Sequence, residues 1–317
     1  MARSIRVAVA QTGPVLRADS REAVVARLMD QMRQAADRGA RFVVFPELAL
    51  TFFFPRLWME DEAEIDSWFE REMPSPATRP LFELAQRLGL GFNIGYAELT
   101  EEGGAKRRYN TSIIVNRAGR IVGKYRKIHL PGRAHKETTV GWHNFEKRYF
   151  DVGDRSWPVW RTMGVNMGTM ICNDRRWPEA YRVMGLQSVE LIALGYNSSI
   201  ANARGGEPPE IRMLHNHISM QAGAYQNASW VCGAAKSGDE EGIPLMGGSA
   251  IIAPTGQIVA QASRLGPEVI TAECDLDLCA FYKRTMFDFA AHRRPEHYRM
   301  IVERTGAEPP PAVDDEE

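Results

Sequence analysis

Short apolar runs of β-prone residues recur along this chain, and they alternate with helical patterns over its first half. Ile5–Gln11 reads IRVAVAQ, which is typical of a buried strand. Val24–Ala36 then carries apolar residues at helical spacing up to Gly39, and Phe42–Phe45 is a second short apolar run. The opening therefore predicts strand, helix, strand, and that order favours an α/β layered fold.

The same kinds of pattern continue to residue 274. Helices are predicted at Pro80–Leu88, Pro178–Met184 and Pro209–Gln226. Strands are predicted at Gly91–Glu98, Thr111–Val115, Arg120–Tyr125, Gly164–Cys172, Glu190–Leu194, Ser229–Ala235, Gly248–Ile252, Gln257–Ala262 and Val269–Cys274, the second and third of them forming a hairpin. No repeat or linker divides the chain, so residues 1–305 are predicted to form one domain. Residues 306–317 are rich in proline and acids, which predicts a flexible tail.

The net charge bears on the partners of this chain, and its first residues bear on its location. Lys and Arg number 39 against 40 Asp and Glu, which gives a net charge of -1 and no support for a nucleic-acid or membrane partner. The first residues lack the apolar core and cleavage site of a signal peptide. We therefore expect a cytoplasmic protein with a small-molecule substrate.

Cysteines and histidines give no metal or disulfide pattern. The four cysteines form no CxxC, and reduced thiols are expected in the cytoplasm. His215 and His217 are two apart in a helical pattern, so their side chains point in different directions, and no HExxH is present. We expect neither a metal nor another cofactor.

Two predicted strand ends carry polar side chains that suit catalysis. Glu47 follows an apolar strand, where a carboxylate can shuttle a proton, and the alternative is a solvated loop residue. Lys127 closes a basic run but is followed by apolar Ile128. Its ammonium either belongs to a solvated face or turns inward, where it would stabilise an oxyanion.

A third strand end delivers Cys172 to a turn that is predicted to enter a helix. The positive end of that helix and a nearby lysine would favour the thiolate, so we expect the pKa of Cys172 below its ordinary value. The backbone N–H of Asn173 would face an oxyanion on the substrate. Arg175 and Arg176 follow, and two guanidiniums beside a nucleophile suggest a carboxylate clamp, with ion pairing to Glu179 as the alternative.

Taken together, these segments resemble the nitrilase superfamily, whose members share a Glu–Lys–Cys triad in this order. The matching segments are FPEL, GKYRKIHLP and ICNDRRWPE, and Glu146 in FEKRYF resembles the second glutamate that members place beside the triad. The resemblance extends from Ile5 to Tyr298. Within the superfamily the chain is most similar to N-carbamoyl-D-amino-acid amidohydrolases, through GYAEL, SMQAGAYQN, AHRRPEHY and above all the double arginine.

The resemblance implies a four-layer αββα sandwich that forms dimers or tetramers. It also implies that Cys172 hydrolyses N-carbamoyl-D-amino acids to the D-amino acid, carbon dioxide and ammonia through a carbamoyl thioester. Glu47 would be the base, Lys127 would stabilise the oxyanion, and Glu146 would stand beside them. The substrate-binding residues that it implies are Asn173, Arg175, Arg176, Asn197, His129 and His215, with the two arginines on the carboxylate.

The chain departs from that branch at two places. Its relatives there carry a histidine at the position of Asn144, whereas here the histidine is His143. Residues 133–143 and 198–213 also differ, and both segments are expected to frame the mouth of the pocket. Three alternatives follow: an amidase or nitrilase of the same superfamily acting on another small carboxylate-bearing compound, a metal-dependent amidohydrolase, and a member without activity.

Overall fold

Two six-stranded sheets pack face to face, and helices cover their outer faces. The computed structural model describes residues 3–136, 144–201 and 207–311. The strands are β1 (Ser4–Gln11), β2 (Phe42–Val44), β3 (Gly91–Glu102), β4 (Ala105–Val115), β5 (Ile121–Arg126), β6 (Val159–Thr162), β7 (Val165–Ile171), β8 (Leu191–Tyr196), β9 (Trp230–Ala235), β10 (Ser237–Glu240), β11 (Ile243–Met246), β12 (Ala250–Ile252), β13 (Ile258–Gln261) and β14 (Glu268–Asp275). The α-helices are α1 (Arg21–Asp37), α2 (Glu62–Ser67), α3 (Arg79–Leu88), α4 (Glu146–Tyr149), α5 (Pro178–Leu186), α6 (Pro209–Gln226), α7 (Leu276–Arg284), α8 (Phe289–His292) and α9 (Arg299–Glu303).

Both sheets are built on the same plan, with parallel pairs at the centre and antiparallel pairs outside. The first has the strand order β14-β1-β2-β3-β4-β5, and the second has the order β13-β12-β9-β8-β7-β6. The parallel pairs are β1 with β2 and β2 with β3 in the first sheet, and β7 with β8 and β8 with β9 in the second. The ends of parallel strands are where α/β proteins place functional side chains.

Apolar side chains fill the space between the two sheets. Val7 and Val44 of the first sheet share one buried cluster with Met167 and Leu191 of the second. Such strands are apolar on both faces because a helix layer covers the other face. Here α1 and α3 pack on the first sheet, and α6 packs on the second. The predicted αββα sandwich is therefore confirmed.

The predicted helices and strands are present, and their ends shift by a few residues. Three strands, β6, β10 and β11, were not predicted, because each has only four residues, β10 is polar and Pro244 interrupts β11. Residues 306–311 have no regular structure, and residues 312–317 lie outside the described part, so the flexible tail stays a prediction. Within the described ranges, no helix is both long and apolar enough to cross a membrane.

Candidate active site

Glu47 lies beyond the end of β2, clamped between two glycines. Its side chain is fully buried. A Cβ on Gly95 of β3 would lie 2.8 Å from the Glu47 Cα, and a Cβ on Gly195 of β8 would lie 2.5 Å from the Glu47 nitrogen. Because glycine lacks a side chain, it permits so close an approach of backbones. The two glycines therefore fix Glu47 between the sheets.

Lys127 directly follows β5, and its side chain is buried between two carboxylates. Its Nζ lies 2.7 Å from Oε1 of Glu47 and 2.6 Å from Oε2 of Glu146. The side-chain amide of Asn110 also donates to Oε1 of Glu47, at 2.8 Å. Burial alone lowers the pKa of Lys127, but the carboxylates of Glu146 and Glu47 raise it above its ordinary value. The ammonium therefore stays charged and can stabilise an oxyanion.

Glu146 is the first residue of α4, and Asn144 supports it. The Asn144 amide donates to Oε1 of Glu146 at 3.2 Å, and its oxygen accepts from the Glu146 backbone N–H at 2.9 Å. Burial raises the pKa of Glu146 more than the ammonium of Lys127 lowers it. Asn144, one of the departures in the sequence, thus orients the second glutamate, whereas His143 lies outside the described residues.

Cys172 begins a 3-10 turn directly after β7, with its thiol buried. Its φ is 45°, a left-handed conformation that turns the chain sharply out of the strand. Burial raises the pKa of Cys172, and the carboxylate of Glu47 raises it further, against the opposing charges of Lys127 and Arg175. The predicted low pKa is therefore wrong. The turn spans only Cys172–Arg176, and the α-helix that would favour a thiolate begins later, at Pro178.

A protonated thiol needs a base, and Glu47 has a free oxygen to serve as one. Oε1 of Glu47 accepts from Asn110 and Lys127. Oε2 is buried without a hydrogen-bond partner among the described residues. Such an unpaired buried acceptor is costly, and a proton donor would relieve that cost. The arrangement therefore suits proton transfer between Glu47 and a nearby donor.

Asp174 joins the loop after Lys127 to the turn that carries Cys172. Its buried carboxylate accepts from the hydroxyl of Tyr125 at 2.8 Å and from the backbone N–H of Ile171 at 3.0 Å. It also accepts from the backbone N–H of His129 at 3.2 Å and lies 3.0 Å from the Nδ1 of that ring. These contacts fix the loop after Lys127 against the turn that carries Cys172.

His129 and Asn173 lie side by side at this junction. The imidazole stacks between the rings of Trp157 and Trp177, at 5.2 and 4.9 Å between ring centres. The side-chain amide of Asn173 donates to the backbone oxygen of His129 at 3.1 Å. As the second residue of the 3-10 turn, Asn173 has a backbone N–H without a partner inside that turn, which leaves it able to meet an oxyanion.

The two arginines that follow Cys172 occupy different environments. Arg175 is buried, and its Nε donates to Asn216 at 2.9 Å, its Nη1 to the Cys172 carbonyl at 2.7 Å and its Nη2 to Ser198 at 3.1 Å. Arg176 is exposed and has no ion pair within the described ranges. Arg175 therefore supports the turn, whereas Arg176 lies at the surface beside it.

Two further residues that the resemblance implies lie at different depths. Asn197 follows β8 and is buried, and its Oδ1 accepts from Arg56 at 2.9 Å. His215 is exposed on α6, with Nδ1 2.6 Å from Glu207, which also pairs with Arg212. Within the described ranges, the His215 side chain makes no hydrogen bond or ion pair with the residues around Cys172. Asn197 thus belongs to the buried site, and His215 lies on the surface.

Several residues of the site were not predicted from the sequence. They are Asn110, Asp174 and Arg56, each of which supports a predicted residue. Asp174 had one local signal, since a carboxylate beside a predicted nucleophile is unusual. In the part of the chain that the structure describes, no cluster of His, Cys, Asp and Glu is arranged to hold a metal, and all four cysteines are free.

The chain is similar to known proteins over most of its length. Residues 6–284 match the family model described as Carbon-nitrogen hydrolase. The chain is 30% identical to a citrullinase from Francisella tularensis, over 88% of this chain and 93% of that protein. It is 29% identical to an N-carbamoylputrescine amidase from Arabidopsis thaliana, over 87% of this chain and 88% of that protein.

Solved structures share the fold. A carbon-nitrogen hydrolase from Helicobacter pylori G27 superposes with a TM-score of 0.82 at 22% identity, covering 95% of this chain and 99% of that one. A mutant of the amidase from Nesterenkonia sp. AN1, with acrylamide added at its active-site cysteine, has a TM-score of 0.71 at 20% identity over 93% of this chain and 98% of that one. The family match and the citrullinase show that this chain belongs to the carbon-nitrogen hydrolases of the nitrilase superfamily, which act on carbon–nitrogen bonds outside peptides.

Proposed function

We propose that this enzyme hydrolyses N-carbamoyl-D-amino acids to the D-amino acid, carbon dioxide and ammonia. The observation that carries the proposal is Arg176, an exposed guanidinium without an ion pair among the described residues, four positions after Cys172. A guanidinium binds a carboxylate through paired hydrogen bonds. The relatives named N-carbamoylputrescine amidase support a carbamoyl group as the reacting part. The D configuration rests on the resemblance of the motifs.

The proposed reaction begins with a protonated Cys172. Oε2 of Glu47 takes the thiol proton as Sγ attacks the carbamoyl carbon. The ammonium of Lys127 and the N–H of Asn173 stabilise the oxyanion, a contribution of about 3 kcal/mol for each donor. Glu47 then passes its proton to the leaving nitrogen, which releases the amino acid and leaves a carbamoyl thioester on Cys172.

Water completes the cycle. Glu47 removes a proton from a water molecule, and the resulting hydroxide attacks the thioester carbon. The carbon–sulfur bond breaks, and the proton held by Glu47 returns to the Cys172 sulfur. The carbamic acid that is released decomposes to carbon dioxide and ammonia. The steps use the substrate, water, and side-chain and backbone groups of this chain.

The first test uses both enantiomers of N-carbamoylphenylalanine and measures ammonia release with and without iodoacetamide. We expect release from the D enantiomer and its loss after alkylation of Cys172. Release from neither enantiomer, with the protein folded, would reject this substrate class and favour the amidase or nitrilase alternative, which a panel of amides and nitriles checks. Inhibition by a chelator without alkylation sensitivity would favour a metal-dependent enzyme.

The carboxylate clamp has a test of its own. Arg176→Ala should lower kcat/KM for N-carbamoyl-D-phenylalanine by about 10- to 100-fold, because a charge-assisted pair is lost. The neutral control is N-carbamoyl-D-phenylalaninamide, which has the same scissile bond and no carboxylate and should lose little. Arg175→Ala is the contrast variant, since loss of its support to Cys172 should impair both substrates. Equal losses for Arg176→Ala on the two substrates would reject the clamp.

We also propose that the protein forms dimers or tetramers. Ile211, Leu214 and Ile218 form an exposed apolar stripe along α6, and Met300 and Val302 are exposed on α9. Exposed apolar surfaces of this kind are typical of protein interfaces. Light scattering after size-exclusion chromatography measures the mass in solution, and a monomer at micromolar concentration would reject the proposal.

A further inference from the structure

A second group of buried charges lies behind the candidate site. It consists of Arg56, Lys236 and Glu240, each at most 5% exposed. Nη1 of Arg56 lies 3.1 Å from Oε2 of Glu240, and Nζ of Lys236 lies 2.9 Å from Oε1. The proposed reaction uses none of the three. Burying these charges costs free energy that apolar side chains in the same places would not cost. We therefore expect the three residues to have a role.

Glu240 holds Arg56 rigidly in place. Its oxygens also accept the backbone N–H groups of Val15, at 3.1 Å, and Phe53, at 2.8 Å. Each oxygen thus receives one charged donor and one backbone donor. The Arg56 guanidinium also lies over the ring of Phe53, 4.6 Å from its centre. A guanidinium fixed from two sides presents its remaining N–H groups in one direction.

A second nitrogen of the Arg56 guanidinium, Nη2, contacts Asn197. Nη2 donates to Oδ1 of Asn197 at 2.9 Å. Arginine only donates hydrogen bonds, so the oxygen of the amide must face Arg56 and its amino group must face away. Nδ2 of Asn197 is buried and has no hydrogen-bond partner among the described residues. Two N–H groups are thus left unpaired in a buried position.

Asn197 is close to the candidate site on two sides. Gly195 of β8, two residues earlier in the chain, lies against the backbone of Glu47. The next residue, Ser198, accepts a hydrogen bond from Arg175, which itself lies 3.7 Å from the Cys172 sulfur. Burial lowers the pKa of Arg56, and the carboxylates of Glu240 and Glu47 oppose that shift. These contacts place Asn197 beside the segments that carry Glu47 and Cys172, at the candidate site.

We propose that Arg56 is a positioning residue, which fixes the Asn197 amide so that Nδ2 donates to an acceptor oxygen or nitrogen of the substrate. Glu240 and Lys236 hold Arg56 in that orientation. A site with a buried unpaired donor favours substrates that supply the acceptor and rejects analogues that lack it. The inference rests on the proposed function only in taking the candidate site around Cys172 as the place where substrate binds.

A double-mutant cycle tests the proposal with kcat/KM as the readout. Arg56→Met leaves Glu240 paired with Lys236, a neutral pair that allows folding. We expect Arg56→Met and Asn197→Ala each to lower kcat/KM about 10- to 100-fold, and the double variant to be no worse than the more impaired single variant. Arg108→Met, which removes a buried arginine from the Asp66 and Glu62 pairs, is the matched control and should add to Asn197→Ala.

Asn197→Asp tests whether Arg56 orients the Asn197 amide toward the substrate or only stabilises the fold around it. Its carboxylate keeps the contact with Arg56 but presents an acceptor where Nδ2 presented a donor. We expect a stable protein that loses as much kcat/KM as Asn197→Ala. An Asn197→Asp variant with unimpaired kcat/KM, or additive losses for Arg56→Met and Asn197→Ala, would overturn the inference. Thermal unfolding of each variant checks that it is folded.

The choice of substrate keeps this inference separate from the proposed function. The cycle uses N-carbamoyl-D-phenylalanine when the unmodified enzyme hydrolyses it. When it does not, the proposed function is wrong, and the cycle uses the amide or nitrile that the enzyme hydrolyses fastest. Both groups carry an acceptor atom, so the same non-additivity is expected.

Discussion

At the scale of single residues, burial and the nearby charges decide the protonation state of Cys172. Glu47, Glu146 and Lys127 are all shielded from water, and the ammonium of Lys127 lies between the two glutamates. Burial disfavours a thiolate, and the carboxylate of Glu47 disfavours it further, which explains why the pKa of Cys172 lies above its ordinary value. We therefore expect the Cys172 thiolate to form only as its sulfur attacks the substrate.

This protonation state predicts the pH dependence of alkylation. The rate at which iodoacetamide modifies Cys172 should keep rising above pH 8.5, about the ordinary pKa of a cysteine thiol, because the thiol loses its proton only at higher pH. Mass spectrometry of the modified peptide measures the rate at each pH. Glu47→Gln should move the profile to lower pH, because it removes the charge that raises the pKa. A rate that is already constant below pH 7 would contradict this account.

At the scale of elements, the three predicted strand ends were found because their signals are local. Glu47 and Cys172 each follow an apolar run, Lys127 closes a basic run before Ile128, and each pattern can be recognised within ten residues. The partners that orient them are distant in sequence. Asn110 lies 63 residues from Glu47, and Arg56 lies 184 residues from Glu240. No local pattern joins such residues, since only the folded chain brings them together: Asn110 lies in β4 of the sheet that also contains β2, and Glu240 lies in β10.

The close approach of Gly95 and Gly195 to the Glu47 backbone predicts that one added methyl group has a large effect on kcat. Gly195→Ala would place Cβ 2.5 Å from the Glu47 nitrogen, and backbone atoms on both sides leave no flexible neighbour to move. Glu47 must shift, and a displacement of about 1 Å can cost 100-fold in rate. We expect kcat to fall by about that factor in folded protein, measured on the best substrate.

A glycine on the adjacent strand is the control for this variant. Gly233→Ala in β9 would place Cβ 2.7 Å from the sulfur of Met220, the end of a flexible side chain. It should lower the thermal unfolding temperature and leave kcat nearly unchanged. If both variants lost kcat equally, general loosening of the core would explain the result, and the contact between Gly195 and Glu47 would have no specific role.

At the scale of the whole molecule, the sequence predicted the layers but not their alignment. Alternating strands and helices indicate an α/β fold, and the motifs resemble a family with an αββα sandwich. The alignment of the two sheets depends on contacts such as Gly195 against Glu47, which involve an absent side chain. The family match and the solved structures agree with the layers. The fold does not settle the substrate, because function depends on individual side chains, which vary within one fold.

The contrast between buried charges and the exposed Arg176 has a consequence for how the enzyme responds to salt. Dissolved ions shorten the reach of exposed charges, from about 30 Å at 0.01 M to about 3 Å at 1 M, and act much less on buried ones. Raising the concentration of sodium chloride should therefore raise KM for a carboxylate substrate and leave kcat nearly constant, and steady-state kinetics over that range measures both. A kcat that falls in parallel would mean that ions reach Lys127 and its carboxylates. Arg176→Ala should make KM almost independent of salt.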